Sequence, residues 1–597
     1  MFRKIVLSAA VAFAASLPLA TVATASSPAF GPAQIVAGNL KIGTWSTVES
    51  VSCVSAGNCA ASGYYDDVHN DDQSFVATET NGLWHPAQEL AGALNVGSES
   101  RAESISCSSP GNCGVSGYYQ DAAGFYQGYV ASEVDSVWGD PVPVGVISNT
   151  GGDGDIYRIS CPSDGNCAGV GWVETGAKNS DQYESIVINE VNGVWALPIE
   201  VATVLDTEGY GYMQSVSCPS AGNCTAAGVF TNYNGYQSFV IPEVNGVWGS
   251  PLPIVMGLNT GGSSYPGQIS CTSTSNCTVV GQINQDSTDA NQAYAVNEVN
   301  GLWGTGHLLA DTLNIGQDAE ATTVSCSSPG NCTAGGYYND EIIVPGLRHP
   351  HSSTRLSAHS IAPRGAPEHY QAFVATETNG VWANAFEVGG SLNTGLDASI
   401  NTLSCVDAAN CVAGGYFLDG SHNDQALAVT EVNGVWTKAV ELVGVQNVNG
   451  NADIYGSSCT LSGYCVIGGF YADPSAFVIS KQFAAAQFVV DPFSEGSSAL
   501  NAQLNSQIWS AAALIRSNHL HHVTAIGNTD SIDSHAVNLA LGLARAQVVR
   551  VQLLKDLKAL GVTSVKVATS TKGDTQFVAS NKTAAGRALN RRVVITL

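Results

Sequence analysis

The residues best equipped for chemistry in this chain are its 16 cysteines, and all of them fall into pairs with one spacing, C-x5-C. The pairs are Cys53/Cys59, Cys107/Cys113, Cys161/Cys167, Cys218/Cys224, Cys271/Cys277, Cys326/Cys332, Cys405/Cys411 and Cys459/Cys465. Thiols so placed either bind a metal as thiolates or oxidise to a disulfide. Zinc sites prefer closer spacing and gather four ligands at one point, so a disulfide within each pair is the expectation. The closed loop is short, and the chain-entropy argument gives about 2 kcal/mol per bridge. Other reactive groups are less organised. Asp66, Asp67, Asp71 and Asp72 lack the fixed oxygen offsets and glycine turn of a calcium loop and read as a solvated acidic loop. His349, His351, His359 and the nearby His369 carry no rigid metal-ligand spacing. No nucleophile elbow, Walker loop or HExxH is found, and no cofactor and no metal are expected.

The elements that must position these cysteines repeat with them. Successive pairs lie about 54 residues apart, except that the step from Cys326 to Cys405 is longer by about 25. Such a period marks a tandem array. Each pair sits in a phrase like SVSCVSAGNCAASGYY: an alternating run, a turn of Ser, Gly, Pro and Asn, then an apolar run. Each disulfide should therefore staple one hairpin. A second hairpin follows, as in FVATETNGLW at 75–84, where Asn-Gly is a strong two-residue turn signal. Its tryptophan recurs as Trp84, Trp138, Trp195, Trp248, Trp303, Trp382 and Trp436, read as packing between repeats, with a carbohydrate-stacking row as the alternative. The second unit departs, with Asp135-Ser136 in place of Asn-Gly.

About four short antiparallel strands per unit is the size of a propeller blade. The phrase Pro32–Val36 resembles the strand that follows each Trp turn but has no repeat before it, while the eighth pair is followed by AFVIS at 476–480 and no such turn. Joining the two completes an eighth blade and closes a ring, which removes exposed sheet edges. The expected fold is thus multidomain: an all-β eight-bladed ring over 26–480, a linker at 481–487 and a small α/β sandwich over 488–597. An insertion at about 343–367, rich in proline and histidine, reads as a surface loop.

Charge supports that division. Of 22 basic and 49 acidic side chains, 12 and 6 lie from residue 481 onward, leaving 10 and 43 before it. An acidic array of net −33 disfavours nucleic acid as a partner. Arg3 and Lys4, an apolar run from Ile5 to about Leu19, and Ala23-Thr24-Ala25 read as a signal peptide over 1–25. No later stretch is apolar enough for a spanning helix.

Beyond residue 488, strand patterns at 488–493, 521–529, 565–568 and 592–597 alternate with helix patterns at 499–516 and 534–557, an α/β sandwich. GNTDSIDSHAVNLALGLARAQVV at 527–549 resembles the phrase GHTDxxGxxxxNxxLSxxRAxxV of the OmpA-like peptidoglycan-associated domains. SNKTAAGRALNRRVVITL at 580–597 resembles their ending, and SSALNAQL at 497–504 the start of their first helix. The resemblance covers 488–597 and none of the repeats. It implies peptidoglycan as the ligand, gripped at diaminopimelate, with Asp530, Arg545 and the supporting Asn538 as site residues. An aspartate can accept from the ligand ammonium while an arginine forks onto its carboxylate. Asn528 stands for the usual histidine, Asp533 for a glycine, and Gly542 for a serine inside the helix, where glycine costs about 1 kcal/mol in propensity relative to alanine.

These readings imply an exported, non-catalytic envelope protein of the periplasm or cell wall, peripherally associated with the outer membrane or peptidoglycan. Its C-terminal domain would hold the wall while the ring offers a surface to a protein or glycan. The alternatives are a wall-anchored polysaccharide-degrading enzyme, although no paired catalytic carboxylates can be located in the sequence, and a purely structural spacer.

Overall fold

The computed structural model describes residues 30–40, 42–144, 152–175, 182–255, 257–258, 262–285, 290–340, 369–443, 447, 450–471, 475–483, 487–517 and 520–596. The signal-peptide reading and the insertion at 343–367 lie outside these residues.

Each repeat is a separate antiparallel sheet. In the first, Ser46–Ser55, Asn58–Asp66 and Asp72–Thr80 lie side by side, with the pieces Leu83–Trp84 and Gln88–Glu89 both on the outer edge of Asp72–Thr80. The expected fourth strand is therefore broken in two. Pro86, Pro141, Pro198 and Pro251 sit between the pieces in four repeats, and proline cannot donate to a ladder.

The cysteines bridge the first two strands of each sheet. Cys53 is bonded to Cys59, Cys107 to Cys113, Cys161 to Cys167, Cys218 to Cys224, Cys271 to Cys277, Cys326 to Cys332, Cys405 to Cys411 and Cys459 to Cys465. The two cysteines face each other directly in the strand register of six sheets. A register shift lies at or just beyond the staple in seven sheets, as between Cys53 and Ser55, Ser160 and Ser163, and Ser217 and Ser220. The second cysteine of every pair is buried: Cys59, Cys113, Cys167, Cys224, Cys277, Cys332, Cys411 and Cys465 are at most 7% exposed. No cysteine is left free for metal ligation among the described residues.

The Asn-Gly turns behave as their residue types dictate. Asn81 and Gly82 have φ of 51° and 83°, the left-handed pair that two-residue hairpins need. Asp135 and Ser136 hold the same shape, at 50° and 66°, so the second unit keeps the turn with costlier residues. Gly82 N–H donates to the Gly57 carbonyl at 2.8 Å. That bond ties the Trp turn to the disulfide turn, and a Cβ on Gly57 would lie 2.6 Å from the Gly82 nitrogen.

The eight sheets succeed one another around a closed circuit. The first strand of every sheet touches the first strand of the next, and that of the eighth (Ala452–Cys459) touches that of the first. One hydrogen bond repeats at all eight junctions. The serine before each leading cysteine accepts from the backbone N–H of the leading cysteine one sheet on: Ser52 from Cys107, Ser106 from Cys161, Ser160 from Cys218, Ser217 from Cys271, Ser270 from Cys326, Ser325 from Cys405, Ser404 from Cys459 and Ser458 from Cys53, at 2.9–3.1 Å. The eighth sheet takes its outer edge from the other end of the chain. Gln34 and Ile35 pair with Val478 and Phe477 of Ser475–Gln482. Val36, Val48, Phe75, Val466 and Val478 share one core between the eighth and first sheets.

The tryptophans pack between repeats. Each is half-buried, and Trp195 and Trp248 donate from Nε1 to Ser132 and Asn189 of the preceding sheet, at 2.9 and 3.2 Å. The glutamate two places before each Asn-Gly or Asp-Ser turn is sequestered at the same junctions. Glu79, Glu133, Glu190, Glu243, Glu377 and Glu431 are at most 3% exposed, and Glu298 is half-buried. Several accept from the neighbouring sheet, as Glu190 does from Ser132 at 2.6 Å. Lys481 fills the equivalent place in the eighth sheet.

The C-terminal segment forms one four-stranded sheet in the order Gln487–Val490, Val593–Thr596, His522–Asn528, Lys566–Gly573, in which the last two strands run parallel. Helices α1 (Ala502–Ser517) and α2 (His535–Ala559) pack Leu504, Ile508, Ile515, Val549 and Leu553 into its core. The short helix α3 (Ala584–Asn590) was not foreseen. Seven residues hold too little periodicity to show a helix, although its cap, Thr583 Oγ1 accepting from Gly586 N–H at 3.0 Å, is a usual start signal.

Candidate functional site

Asp530 sits in the short loop between the strand ending at Asn528 and helix α2, whose N-cap is Ser534. It is 5% exposed. Its Oδ2 accepts from Arg591 Nη1 at 2.9 Å, and its Oδ1 accepts a longer bond of 3.4 Å from Ile532 N–H. Arg591 is fixed in turn by donation from Nε to the Phe493 carbonyl at 2.7 Å. Arg591 is thus the direct partner of Asp530, a role that the Asn-Arg-Arg run alone did not reveal.

Arg545, three turns into α2, is fully buried. Its Nε, Nη1 and Nη2 donate to the carbonyls of Ser497, Asn528 and Ser494 at 2.9, 3.0 and 3.0 Å, and its guanidinium carbon lies 5.3 Å from the centre of the Phe493 ring. Burial pulls its pKa down to about 10, against the opposing charge of Asp530. The charges of Asp530 and Arg545 therefore act on each other, although the hydrogen bonds of Arg545 go to backbone carbonyls. Asn538 is also buried, and its Nδ2 donates to the Asp533 carbonyl at 2.8 Å.

Three buried polar atoms near Asp530 have no hydrogen-bond partner among the described residues: Asn528 Oδ1, Thr529 Oγ1 and Asn538 Oδ1. Native folds leave few such groups, and two of these belong to the residues just before Asp530. The departures from the family phrase also find physical accounts. Asp533 is exposed and needs no left-handed backbone, so glycine is not required there. Gly542 lies against the sheet. A Cβ on it would meet Thr571 Oγ1 at 2.3 Å, and a Cβ on Gly527 would meet the Gly542 carbonyl at 1.7 Å.

The ring holds its own polar clusters on its inner strands. Glu103 and Asp155, from the second and third sheets, are carboxyls whose charges influence each other. Burial pushes Glu103 well up and Asp155 up to about 6, with Arg158 nearby opposing both shifts. Glu103 Oε2 and Asp155 Oδ1 are buried without a partner. At a turn of the first sheet, one ligand atom each from Asp67, His69 and Asp71 lies within 4.8 Å of the others. However, Asp67 Oδ1 accepts from the N–H groups of His69 and Asp71, and Asp419 makes the equivalent turn with Ser421 and Asn423. The arrangement is a loop brace, shared with the Asp419 turn. The disulfides belong to the frame of the ring and not to the C-terminal site, since the last pair, Cys459 and Cys465, precedes that segment. Among the described residues no helix is long and apolar enough to cross a membrane.

Residues 492–591 match the OmpA family, in agreement with the resemblance of 488–597. Over 78 residues the chain is 42% identical to outer membrane protein A of Bordetella avium, covering 13% of this chain and 38% of that protein. Over 107 residues it is 35% identical to the putative lipoprotein YfiB of Escherichia coli (strain K12), covering 18% and 64%. The peptidoglycan-associated lipoprotein of Burkholderia pseudomallei is similar in structure, at 30% identity, 18% of this chain, 87% of that one and a TM-score of 0.16. The chain spans less than two thirds of the length of the curated relatives it matches.

Proposed function

We propose, from an OmpA-like domain that follows a closed ring of disulfide-stapled sheets, that the protein holds peptidoglycan non-covalently through its C-terminal domain and presents the ring to a protein or glycan. The ligand head is the zwitterionic end of diaminopimelate, whose ammonium and carboxylate share one carbon. Asp530 accepts from the ammonium. The carboxylate meets the positive edge made by Arg591, with the Arg545 charge beneath it. Direct bonds from Arg545 require it to exchange the Ser494 and Ser497 carbonyls for the ligand. Asn538 holds the loop and leaves its Oδ1 to the ligand. The observation that carries this reading is the buried Asp530 carboxylate, bonded to Arg591 and within the field of the buried Arg545, with Asn528 Oδ1, Thr529 Oγ1 and Asn538 Oδ1 left unsatisfied.

The test is sedimentation of the mature chain with purified sacculi. Asp530→Ala should lower retention at least tenfold, because the ammonium then has no anionic partner. Sacculi with lysine in place of diaminopimelate should retain the parent protein poorly. Equal retention of parent and Asp530→Ala would remove the site.

A second reading, that the ring is an anchored polysaccharide-degrading enzyme, draws support from the Glu103–Asp155 pair. Two carboxyls that influence each other, with burial pushing one well up, are the equipment of a general acid. A hydrolysis screen decides it: turnover that Glu103→Gln abolishes favours the enzyme, and no turnover on any wall glycan dismisses it.

A further inference from the structure

Five aromatic rings form a continuous row across sheets three to five, all on the face of the ring opposite the disulfide turns. Trp172 and Tyr183 meet at 5.0 Å between centroids, Tyr183 and Tyr210 at 6.0 Å, Tyr210 and Tyr236 at 6.5 Å, and Tyr236 and Tyr265 at 5.2 Å. All five are half-buried. Backbone bonds fix the row: Tyr183 N–H donates to the Gly209 carbonyl and Gly211 N–H returns to the Tyr183 carbonyl, both at 2.8 Å. Tyr233, at the tip of the hairpin that carries Tyr236, is 89% exposed, and nothing in the fold accounts for so large a ring in water.

Comparison around the ring separates this row from simple packing. Sheets two and six have aromatic pairs at equivalent places, Tyr118–Tyr126 and Tyr337–Tyr370. There the hydroxyls are clasped by carboxylates, Tyr118 and Tyr126 by Glu99, Tyr337 by Glu320 and Tyr370 by Asp318. Among the described residues no carboxylate clasps Tyr210 or Tyr236. Asp206 gives its Oδ1 to the Gly209 and Thr231 N–H groups and the Thr231 hydroxyl, and its Oδ2 is buried without a partner.

We infer that the row from Trp172 to Tyr265, with Tyr233 beside it, is the binding track for a neutral polysaccharide chain. Ring faces cover the C–H faces of sugars, phenol hydroxyls meet sugar hydroxyls, and rigid tyrosines lose little entropy on contact. The length of the row suits a linear polymer. The excess acid of the ring repels an anionic chain, and burial of the unpaired Asp206 Oδ2 keeps it from a cationic one. The inference rests on the reading of the ring as a ligand-presenting surface and gives that ligand a class and a place.

The experiment is native affinity electrophoresis of the mature chain in gels cast with a neutral β-glucan, a glucomannan or a soluble chitin derivative, none of which carries peptide stems. At least one should retard the parent. Tyr210→Ala with Tyr236→Ala should weaken that retardation at least tenfold, and Tyr233→Ala severalfold without lowering the melting temperature. The double Tyr→Phe variant should stay within about threefold of the parent, since the faces remain. Asp530→Ala should be retarded like the parent, and loss there would move the site to the C-terminal domain. Retardation by none of the three, unchanged binding of the double alanine variant, or retention by polylysine alone would overturn the track. Sacculus sedimentation reads the anchoring site independently of all these outcomes.

Discussion

A single methylene decides the packing at Gly542. Serine there would regain about 0.5 kcal/mol of helix propensity. Its Cβ would also press on Thr571 Oγ1, which is engaged with the Gly527 carbonyl at 3.0 Å, and overpacking costs about 1–3 kcal/mol. The second effect is larger. Gly542→Ser should therefore lower the stability of the C-terminal transition by about 1–2 kcal/mol in urea unfolding, although it restores the family residue. A gain would show that α2 can lift from the sheet. The sequence made Asp530, Arg545 and Asn538 legible as residues, because the phrase around them is long. It did not make their partners legible. Arg591 comes from a distant strand end, and the Ser494 and Ser497 carbonyls belong to backbone that no side-chain pattern encodes.

Hairpins are the elements the sequence wrote most plainly. C-x5-C placed each staple and Asn-Gly each second turn, since both depend on contacts within a few residues. The register shifts beside the disulfides were not legible, because the C-x5-C spacing is the same in the eighth sheet, which lacks one there. The broken fourth strand was also less visible, because its two pieces are only two or three residues long and their pairing is set by the neighbouring strand. The Asp135-Ser136 turn gives an element-scale test. Ser136 has φ of 66°, a conformation that glycine reaches without a Cβ penalty. Ser136→Gly should raise the stability of the ring by about 0.5–1 kcal/mol. Thermal unfolding of the two proteins under identical buffer measures it, and a decrease would mean the Ser136 side chain has a stabilising contact.

At the scale of the molecule, the junction glutamates tie stability to pH. Burial raises Glu79, Glu133, Glu190, Glu243, Glu298, Glu377 and Glu431, the last to about 7. A raised carboxyl favours the folded state while it is protonated. Its contribution is complete below the unfolded value, about 4.3 for glutamate, and is lost as pH rises through the folded value. The melting temperature of the ring should accordingly fall between about pH 5 and pH 8. Asp67 and Asp419 act in the opposite sense, since hydrogen bonds from neighbouring N–H groups lower both, and burial opposes this most strongly at Asp67. Their contribution is lost only on acidification, below the ordinary carboxylate range. Glu298→Gln, at a site whose Oε2 is buried without a partner, should raise the melting temperature at pH 8 and flatten the slope. A slope of opposite sign would show that these groups ionise freely. Closure itself could be read from the spare strand at one end and the missing one at the other. The buried acids could not, because only neighbouring sheets together desolvate them.

The pairing of Gln34 and Ile35 with the last sheet fixes an order of assembly. A chain synthesised from its N-terminus can form every hairpin and its sulfur bridge as soon as about 55 residues are out. The closing strand must wait for a partner some 440 residues away, with the loop-closure entropy that separation carries. Until then the array is an open arc with two naked edges, and that interval is when a second chain could most readily take the place meant for residues 34–35.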